Sequence, residues 1–165
     1  MAVSTTSLQV EAQQAAALRD VVDREAIREL ACRYAHHVWQ RDAAAVAALF
    51  TEDGRMETPD LPTLTGRREI IESYEKIFSD MDLYPFVHNH VVDLDGDAAT
   101  GTCYLDLRSR TGEHHIMAAG FYQDRYRRVD GHWLIAGRDL TMVSFFPIRE
   151  RRTESATDPD TPQEA

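Results

Sequence analysis

The chain has 165 residues, of which 43% are hydrophobic and 28% charged, a composition typical of a globular domain that buries its own core. Asp and Glu outnumber Lys and Arg by 28 to 18, which gives a formal net charge of −10. This balance argues against a nucleic-acid partner or an anionic membrane surface, because both need clustered positive charge.

The N-terminus and the cysteines indicate a cytoplasmic protein without disulfides. Residues 1–14 lack the basic segment and apolar core of an export signal. No run approaches the roughly 18 apolar residues of a membrane span. Cys32 and Cys103 have no C-x-x-C spacing, so we expect neither a disulfide nor a zinc site, and we expect both to be small buried hydrophobic residues.

The first third of the chain is predicted to be largely helical. Residues 1–22 are expected to form a partly helical arm with sparse apolar positions, which would pack on a neighbouring subunit. Asp23 is expected to cap the main helix, where an apolar stripe recurs at helical spacing. The stripe consists of Ile27, Leu30, Ala31, Tyr34 and Val38. Asp42 then caps a short second helix, followed by a turn at 52–54 and a strand at 55–58.

A loop and a third helix follow. Two prolines mark the loop at 59–66, and Thr65 or Gly66 begins the helix. Its predicted buried face consists of Ile70, Ile71, Tyr74, Ile77 and Phe78.

From residue 86 onward the apolar period changes to two, with hairpin signals between consecutive strands. The predicted strands are 86–94, 98–110, 114–128 and 133–146. Residues 149–165 are polar and are expected to be a disordered tail. Helices followed by an antiparallel sheet indicate an α+β fold in which the sheet curves around the helices.

Five short segments, in this order and spacing, resemble the SnoaL-like branch of the nuclear-transport-factor-2-like superfamily. They are REAIREL..RYA at 24–35, D…ALFTEDG at 42–54, GRREI at 66–70, HNHVVDLDGDAATG at 88–101 and FYQDRYRRVDGHW at 121–133. The resemblance implies a cone-shaped α+β domain over 23–148, with a deep apolar pocket between the concave sheet and the helices. The superfamily includes dehydratases, isomerases, dehydrochlorinases, polyketide cyclases and non-catalytic dioxygenase subunits, so the fold alone does not imply the reaction.

The His–Asp pair used by scytalone dehydratase, bile-acid dehydratase and dehydrochlorinase relatives is missing. In those relatives the Asp orients an imidazole that abstracts a proton. In their pattern Y-x-x-x-L-D-x-x-D, the first Asp position corresponds to Trp39, and Asp42 matches the second. The partner His lies four residues before an Asn, and counting back from Asn89 leads to Pro85.

The resemblance also implies a reduced set of site residues. Tyr34 matches a position that donates a hydrogen bond into the pocket, or else is a core tyrosine. Arg138 matches an Arg that stabilises developing negative charge, or else is paired with an acidic neighbour. His88 shares a strand face with His90, either in the pocket or at an edge or subunit interface, while Asn89 points the other way. The catalytic candidates are His88, Tyr34 and Arg138, and the ligand-binding candidates are Trp39, Val38, Met56, Thr58, Asn89, His114 and Tyr122.

Two functions remain open. The first is a cofactor-independent lyase, isomerase or cyclase acting on a small hydrophobic, oxygenated molecule, with His88 or His114 as acid or base. The alternative is a non-catalytic ligand-binding or assembly module, such as a small dioxygenase-type subunit, which the missing pair favours. A metal held by histidines on two strands lacks a carboxylate at ligand spacing, so we expect no metal and no cofactor. We also expect a homo-oligomer, a dimer or trimer.

Overall fold

In the computed structural model, which describes residues 5–148, three helices pack against a six-stranded sheet. The helices are α1 (Thr5–Trp39), α2 (Ala43–Ala48) and α3 (Gly66–Asp80). The strands are β1 (Phe50–Glu57), β2 (Leu64–Thr65), β3 (Asp82–Asp95), β4 (Ala98–Thr111), β5 (His114–Val129) and β6 (His132–Ile148). This arrangement confirms the predicted α+β fold. The tail predicted at 149–165 lies outside the described residues.

The sheet has the order β2-β1-β6-β5-β4-β3. Strands β3 to β6 form the predicted antiparallel meander, and the hairpin glycines Gly96 and Gly131 have φ values of 60° and 80°, which glycine adopts without strain. Strand β1, however, pairs with β6 in parallel, so the sheet is mixed rather than wholly antiparallel. No turn signal marks this pairing, because the two partners are far apart in the chain.

Strand β3 begins earlier than predicted and includes Pro85, which is opposite Leu107 of β4. Because β3 is an edge strand, it tolerates a residue without an N–H group. The turn predicted at 52–54 is also wrong, since these residues belong to β1. The register of β1 against β6 shifts there, and a Cβ at Gly54 would lie 2.9 Å from the Phe50 Cβ.

Helix α1 is one continuous helix of 35 residues, not an arm followed by a capped helix. Residues 5–39 contain neither glycine nor proline, so no residue breaks it. Asp23 is therefore not a helix cap. Its carboxylate lies inside the fold, where it accepts hydrogen bonds from Trp133 Nε1 at 3.1 Å and Arg128 Nη2 at 2.5 Å. These bonds join α1 to the end of the sheet at β5 and β6.

The core lies between the helices and the concave face of the sheet. All five predicted stripe residues of α1 are buried, and α3 buries Ile70, Tyr74 and Phe78, while Ile71 and Ile77 are partly buried. Asp42 caps α2 as predicted, accepting a hydrogen bond from Ala45 N–H at 2.9 Å. Cys103 is buried as expected. Cys32 is exposed, which corrects the prediction, since it lies beside the apolar stripe of α1.

Candidate functional site

A cavity of about 340 Å³ lies between α1, α3 and the concave face of the sheet. Its walls are mainly apolar, with Leu, Ile, Met, Val and Pro side chains from both helices, the strands and the loop after β1. Five of the predicted site residues line it. They are Tyr34, Val38, Met56, Thr58 and Tyr122.

Three tyrosines contribute hydroxyl groups to the cavity wall, which also includes Thr58 and Ser73. The Tyr34 hydroxyl is hydrogen-bonded to the Tyr74 hydroxyl, and the Tyr34 ring meets the Tyr122 ring edge to face, with centroids 5.6 Å apart. Burial raises the pKa of both the Tyr74 and the Tyr122 hydroxyls well above the ordinary value of 10.0. Both hydroxyls are therefore neutral at physiological pH and can donate a hydrogen bond. We call Tyr34, Tyr74 and Tyr122 the tyrosine cluster.

Behind the tyrosine cluster lies a buried ion pair between Arg138 of β6 and Asp124 of β5. The contact is bidentate, with Nε to Oδ1 at 2.8 Å and Nη2 to Oδ2 at 2.6 Å, and both side chains are fully buried. The guanidinium carbon lies 4.2 Å from the ring centroid of Tyr34 and 4.0 Å from that of Tyr122. Burial opposes the charge, but the Asp124 carboxylate outweighs it and holds the pKa of Arg138 above its ordinary value.

The ion pair continues into a hydrogen-bonded chain that leads away from the cavity. Tyr126 O–H donates to Asp124 Oδ2 at 2.8 Å, and the same hydroxyl lies 3.0 Å from His90 Nε2. Burial lowers the pKa of His90 from 6.5, which favours the neutral imidazole. Among the described residues, Arg138 Nη1 and His90 Nδ1 are buried without a hydrogen-bond partner.

Three predicted site residues lie outside the cavity lining. His88 and Asn89 lie on β3 away from the cavity, and His88 Nε2 pairs with Asp106 Oδ2 at 3.2 Å at the surface. His114 is exposed at the start of β5. The register of β3 against β4 shifts between Val87 and His90, and it is His90 that contacts the interior. The regular alternation assumed from the sequence therefore does not apply here.

Arg138 and Trp39 also lie outside the cavity lining. Arg138 lies behind the rings of the tyrosine cluster, paired with Asp124, which is the alternative interpretation of that residue. Trp39 is 43% exposed, and its indole packs against Tyr84 and Phe86, with centroid distances of 4.6 and 5.2 Å. Pro85, not Trp39, contributes to the cavity wall.

No histidine, carboxylate, lysine, arginine or cysteine lines the described cavity. The wall can donate hydrogen bonds through Tyr74 and Tyr122, but it offers no carboxylate or imidazole that would take a proton from carbon. Nor does any group of three His, Cys, Asp or Glu residues within 5–148 have the geometry to hold a metal ion.

Tyr74, Asp124 and Tyr126 belong to the site but were not predicted from the sequence. Tyr74 was assigned only to the buried face of α3, and nothing in its spacing separates a core tyrosine from a cavity tyrosine. The position of Asp124, by contrast, could have been recognised from the sequence. It shares strand parity with Tyr122 and Tyr126, so the alternation placed a carboxylate on the buried face of β5, where it needs a partner.

Comparison with known proteins agrees with this fold. The model of the SnoaL-like domain matches residues 19–139. A variant of Rv3472 from Mycobacterium tuberculosis, a protein of unknown function, is 28% identical with a TM-score of 0.70, covering 76% of this chain and 74% of that one. An NTF2-like protein with a cystatin-like fold from Novosphingobium aromaticivorans is 26% identical with a TM-score of 0.65, covering 79% and 88%.

A more distant structure shares the fold. The hexachlorocyclohexane dehydrochlorinase LinA Type2 has a TM-score of 0.75 at 19% identity, covering 81% of this chain and 94% of that one. No curated protein matches the sequence. Within 5–148, none of the helices combines the length and the apolar composition that crossing a membrane requires.

Proposed function

Because the chain belongs to the SnoaL-like family, we propose that its cavity binds a small, largely apolar molecule that carries one carbonyl or hydroxyl oxygen. The observation that carries this proposal is the tyrosine cluster, a group of three phenol hydroxyls in a largely apolar cavity. Apolar walls favour hydrophobic ligands, and a few convergent polar groups fix their orientation.

The size and polarity of the cavity limit the ligand class. A volume of about 340 Å³ is near the lower end of the range for small-molecule sites, which suits a molecule of one or two rings. A ligand oxygen at the tyrosine cluster would accept a hydrogen bond from Tyr74 or Tyr122. A ligand without that oxygen would fill the same space and lose the hydrogen bond, worth about 1 kcal/mol net.

Binding without turnover is the function that the geometry supports best. Abstraction of a proton from carbon needs a base, and the described cavity wall supplies none. The positions that carry the His–Asp pair in the resembling enzymes hold Pro85 and Trp39, neither of which can accept a proton.

The second candidate is a cofactor-independent lyase, isomerase or cyclase acting on the same kind of molecule. The tyrosine cluster favours it, because hydroxyls that donate to a ligand oxygen would stabilise negative charge that develops there. The proton acceptor in such a reaction would be a group of the ligand itself or a water molecule.

Calorimetry and mass spectrometry test both candidates. We expect methyl β-naphthyl ketone to bind with one molecule per chain, and native mass spectrometry of the purified protein to show retained molecules of that chemical class. Recovery of such a molecule unchanged after long incubation supports binding alone. Conversion into an isomer or an elimination product supports the second candidate, and failure to bind any apolar ketone or phenol contradicts both.

We also propose that the chain forms a homodimer through the first part of α1. Residues 7–22 are all exposed and carry large apolar side chains, including Leu8, Leu18 and Val22. In an antiparallel pair of these helices centred on Ala15, position 8 lies level with position 22, and Glu11 lies level with Arg19. A second copy would therefore meet both apolar and opposite-charge partners, as a two-fold interface requires.

A further inference from the structure

The buried ion pair behind the tyrosine cluster bears on which ligands the cavity accepts. We propose that Asp124 is a specificity-determining residue: it cancels the charge of Arg138, so that the cavity takes uncharged oxygenated ligands and rejects carboxylates of the same shape. This inference rests on the proposed function and deepens it.

Arg138 lies close enough to the cavity for its charge to affect ligand binding. The side chain is fully buried, and its guanidinium carbon lies 4.2 and 4.0 Å from the ring centroids of Tyr34 and Tyr122, two residues that line the cavity. Water and salt screen a buried charge much less than an exposed one. An unpaired guanidinium at this place would therefore attract an anion to the tyrosine cluster.

Asp124 removes that attraction through a rigid contact. Both of its oxygens accept from the guanidinium at 2.8 and 2.6 Å, so opposite charges face each other at bidentate geometry. Tyr126 holds the carboxylate from the other side with a hydrogen bond of 2.8 Å, and His90 lies behind that hydroxyl. The carboxylate is therefore held from two directions, opposite the guanidinium.

The remaining groups at the site add no charge. Burial raises the pKa of Tyr74 and Tyr122, so these hydroxyls carry no charge, and no ionisable residue other than tyrosine lines the described cavity. A carboxylate ligand would leave water for an apolar wall and meet no net positive charge, which is costly. A ketone or phenol gives up far less hydration and meets hydroxyl donors.

Binding of matched probes tests this inference. Methyl β-naphthyl ketone and β-naphthoate have nearly the same shape and differ in charge, and calorimetry gives the ratio of their affinities. We expect the natural protein to prefer the ketone by at least about tenfold. In Asp124→Asn we expect that preference to fall at least about tenfold, because the guanidinium is then uncompensated. The control variant Asp106→Asn removes a surface carboxylate that is not part of the ion pair, so it should keep the ketone-to-naphthoate affinity ratio of the natural protein.

A double variant covers the case in which Asp124→Asn does not fold. Asp124→Asn with Arg138→Met removes both charges. It leaves no uncompensated buried charge, which is the main cause of destabilisation when only one partner of a buried ion pair is removed. We expect the double variant to keep the natural preference. A loss of naphthoate affinity of more than about tenfold in the double variant would mean that Arg138 does attract anions in the natural protein, and would overturn the inference.

Three other outcomes are informative. A natural protein that prefers naphthoate contradicts the inference while leaving ligand binding itself intact. A folded Asp124→Asn variant with an unchanged ratio also contradicts it. If neither probe binds, the proposed function fails and the inference fails with it.

Discussion

The indole Nε1 of Trp39 donates a hydrogen bond to the carbonyl oxygen of Pro85 at 2.9 Å. This bond joins the last residue of α1 to the edge strand β3. The sequence pattern of the resembling dehydratases and dehydrochlorinases matches the Asp and the His of their catalytic pair to these two positions. Here they form a structural contact that satisfies a carbonyl group on the free edge of the sheet.

We predict that Trp39→Phe lowers stability without affecting ligand binding. Phenylalanine keeps a ring against Tyr84 and Phe86 but cannot donate to the Pro85 carbonyl, so we expect a loss of about 1 kcal/mol in the free energy of unfolding. Chemical denaturation measures this loss. A large drop in ligand affinity with unchanged stability would instead place the indole at the cavity.

Asp23 should make the stability of the protein depend on pH in the acid range. The hydrogen bond from Arg128 lowers the pKa of Asp23 below 3.8, although partial burial acts against this. The carboxylate therefore contributes stability above about pH 4, and this contribution is lost as pH falls through the lowered pKa. We expect Asp23→Asn to cost about 2 kcal/mol at neutral pH and progressively less in acid. A cost that does not change with pH would contradict this account.

The buried tyrosines should weaken the fold at alkaline pH. Burial raises the pKa of Tyr74 and Tyr122 in the folded chain, so they favour folding fully below about pH 10. This stabilisation is lost as pH rises toward the raised values, since the unfolded chain ionises first. Unfolding measured across the alkaline range should therefore show a falling free energy. Tyr122→Phe should reduce the slope, and an identical slope in that variant would contradict the prediction.

The charges along the exposed part of α1 give a test of the proposed homodimer. Glu11→Arg should place like charges level with each other in the antiparallel pair and shift the protein toward monomer, as measured by sedimentation equilibrium. The swap of Glu11→Arg with Arg19→Glu should restore the dimer. A dimer that is insensitive to these changes would have to use another surface, and a natural protein that is monomeric at high concentration contradicts the proposal.

The elements of the fold follow local patterns, which explains why most of them could be predicted from the sequence. The stripe from Ile27 to Val38 and the hairpin glycines depend on neighbours in the chain, and both appear in the structure as expected. The parallel pairing of β1 was missed because it depends on contacts between residues far apart in the chain. The continuity of α1 was missed because Asp23 suggested a helix cap, although residues 5–39 contain no helix-breaking residue. Asp23 is a residue type that commonly caps helices, but the side chains that donate hydrogen bonds to it, Arg128 and Trp133, lie more than 100 residues away in the chain.

The candidate site likewise contains residues that local patterns predict and residues that only strand register places. Tyr34 and Val38 line the cavity because a helical stripe is regular, and Tyr122 lines it because β5 alternates there. His88 and Asn89 do not, because a register shift after Val87 interrupts the alternation of β3. The pairing of Arg138 with Asp124 joins two strands across a hairpin, and only the register of those strands places the two side chains together.

The central claim is that the tyrosine cluster binds a ligand oxygen, and Tyr74→Phe tests it most directly. This change removes one hydroxyl and keeps the ring, so we compare the affinities of methyl β-naphthyl ketone and β-ethylnaphthalene by calorimetry, with the exposed Tyr104→Phe on β4 as the control. We predict that Tyr74→Phe weakens ketone binding by about fivefold and hydrocarbon binding by less than about twofold. Equal losses for the two molecules, or no loss for the ketone, would contradict this claim.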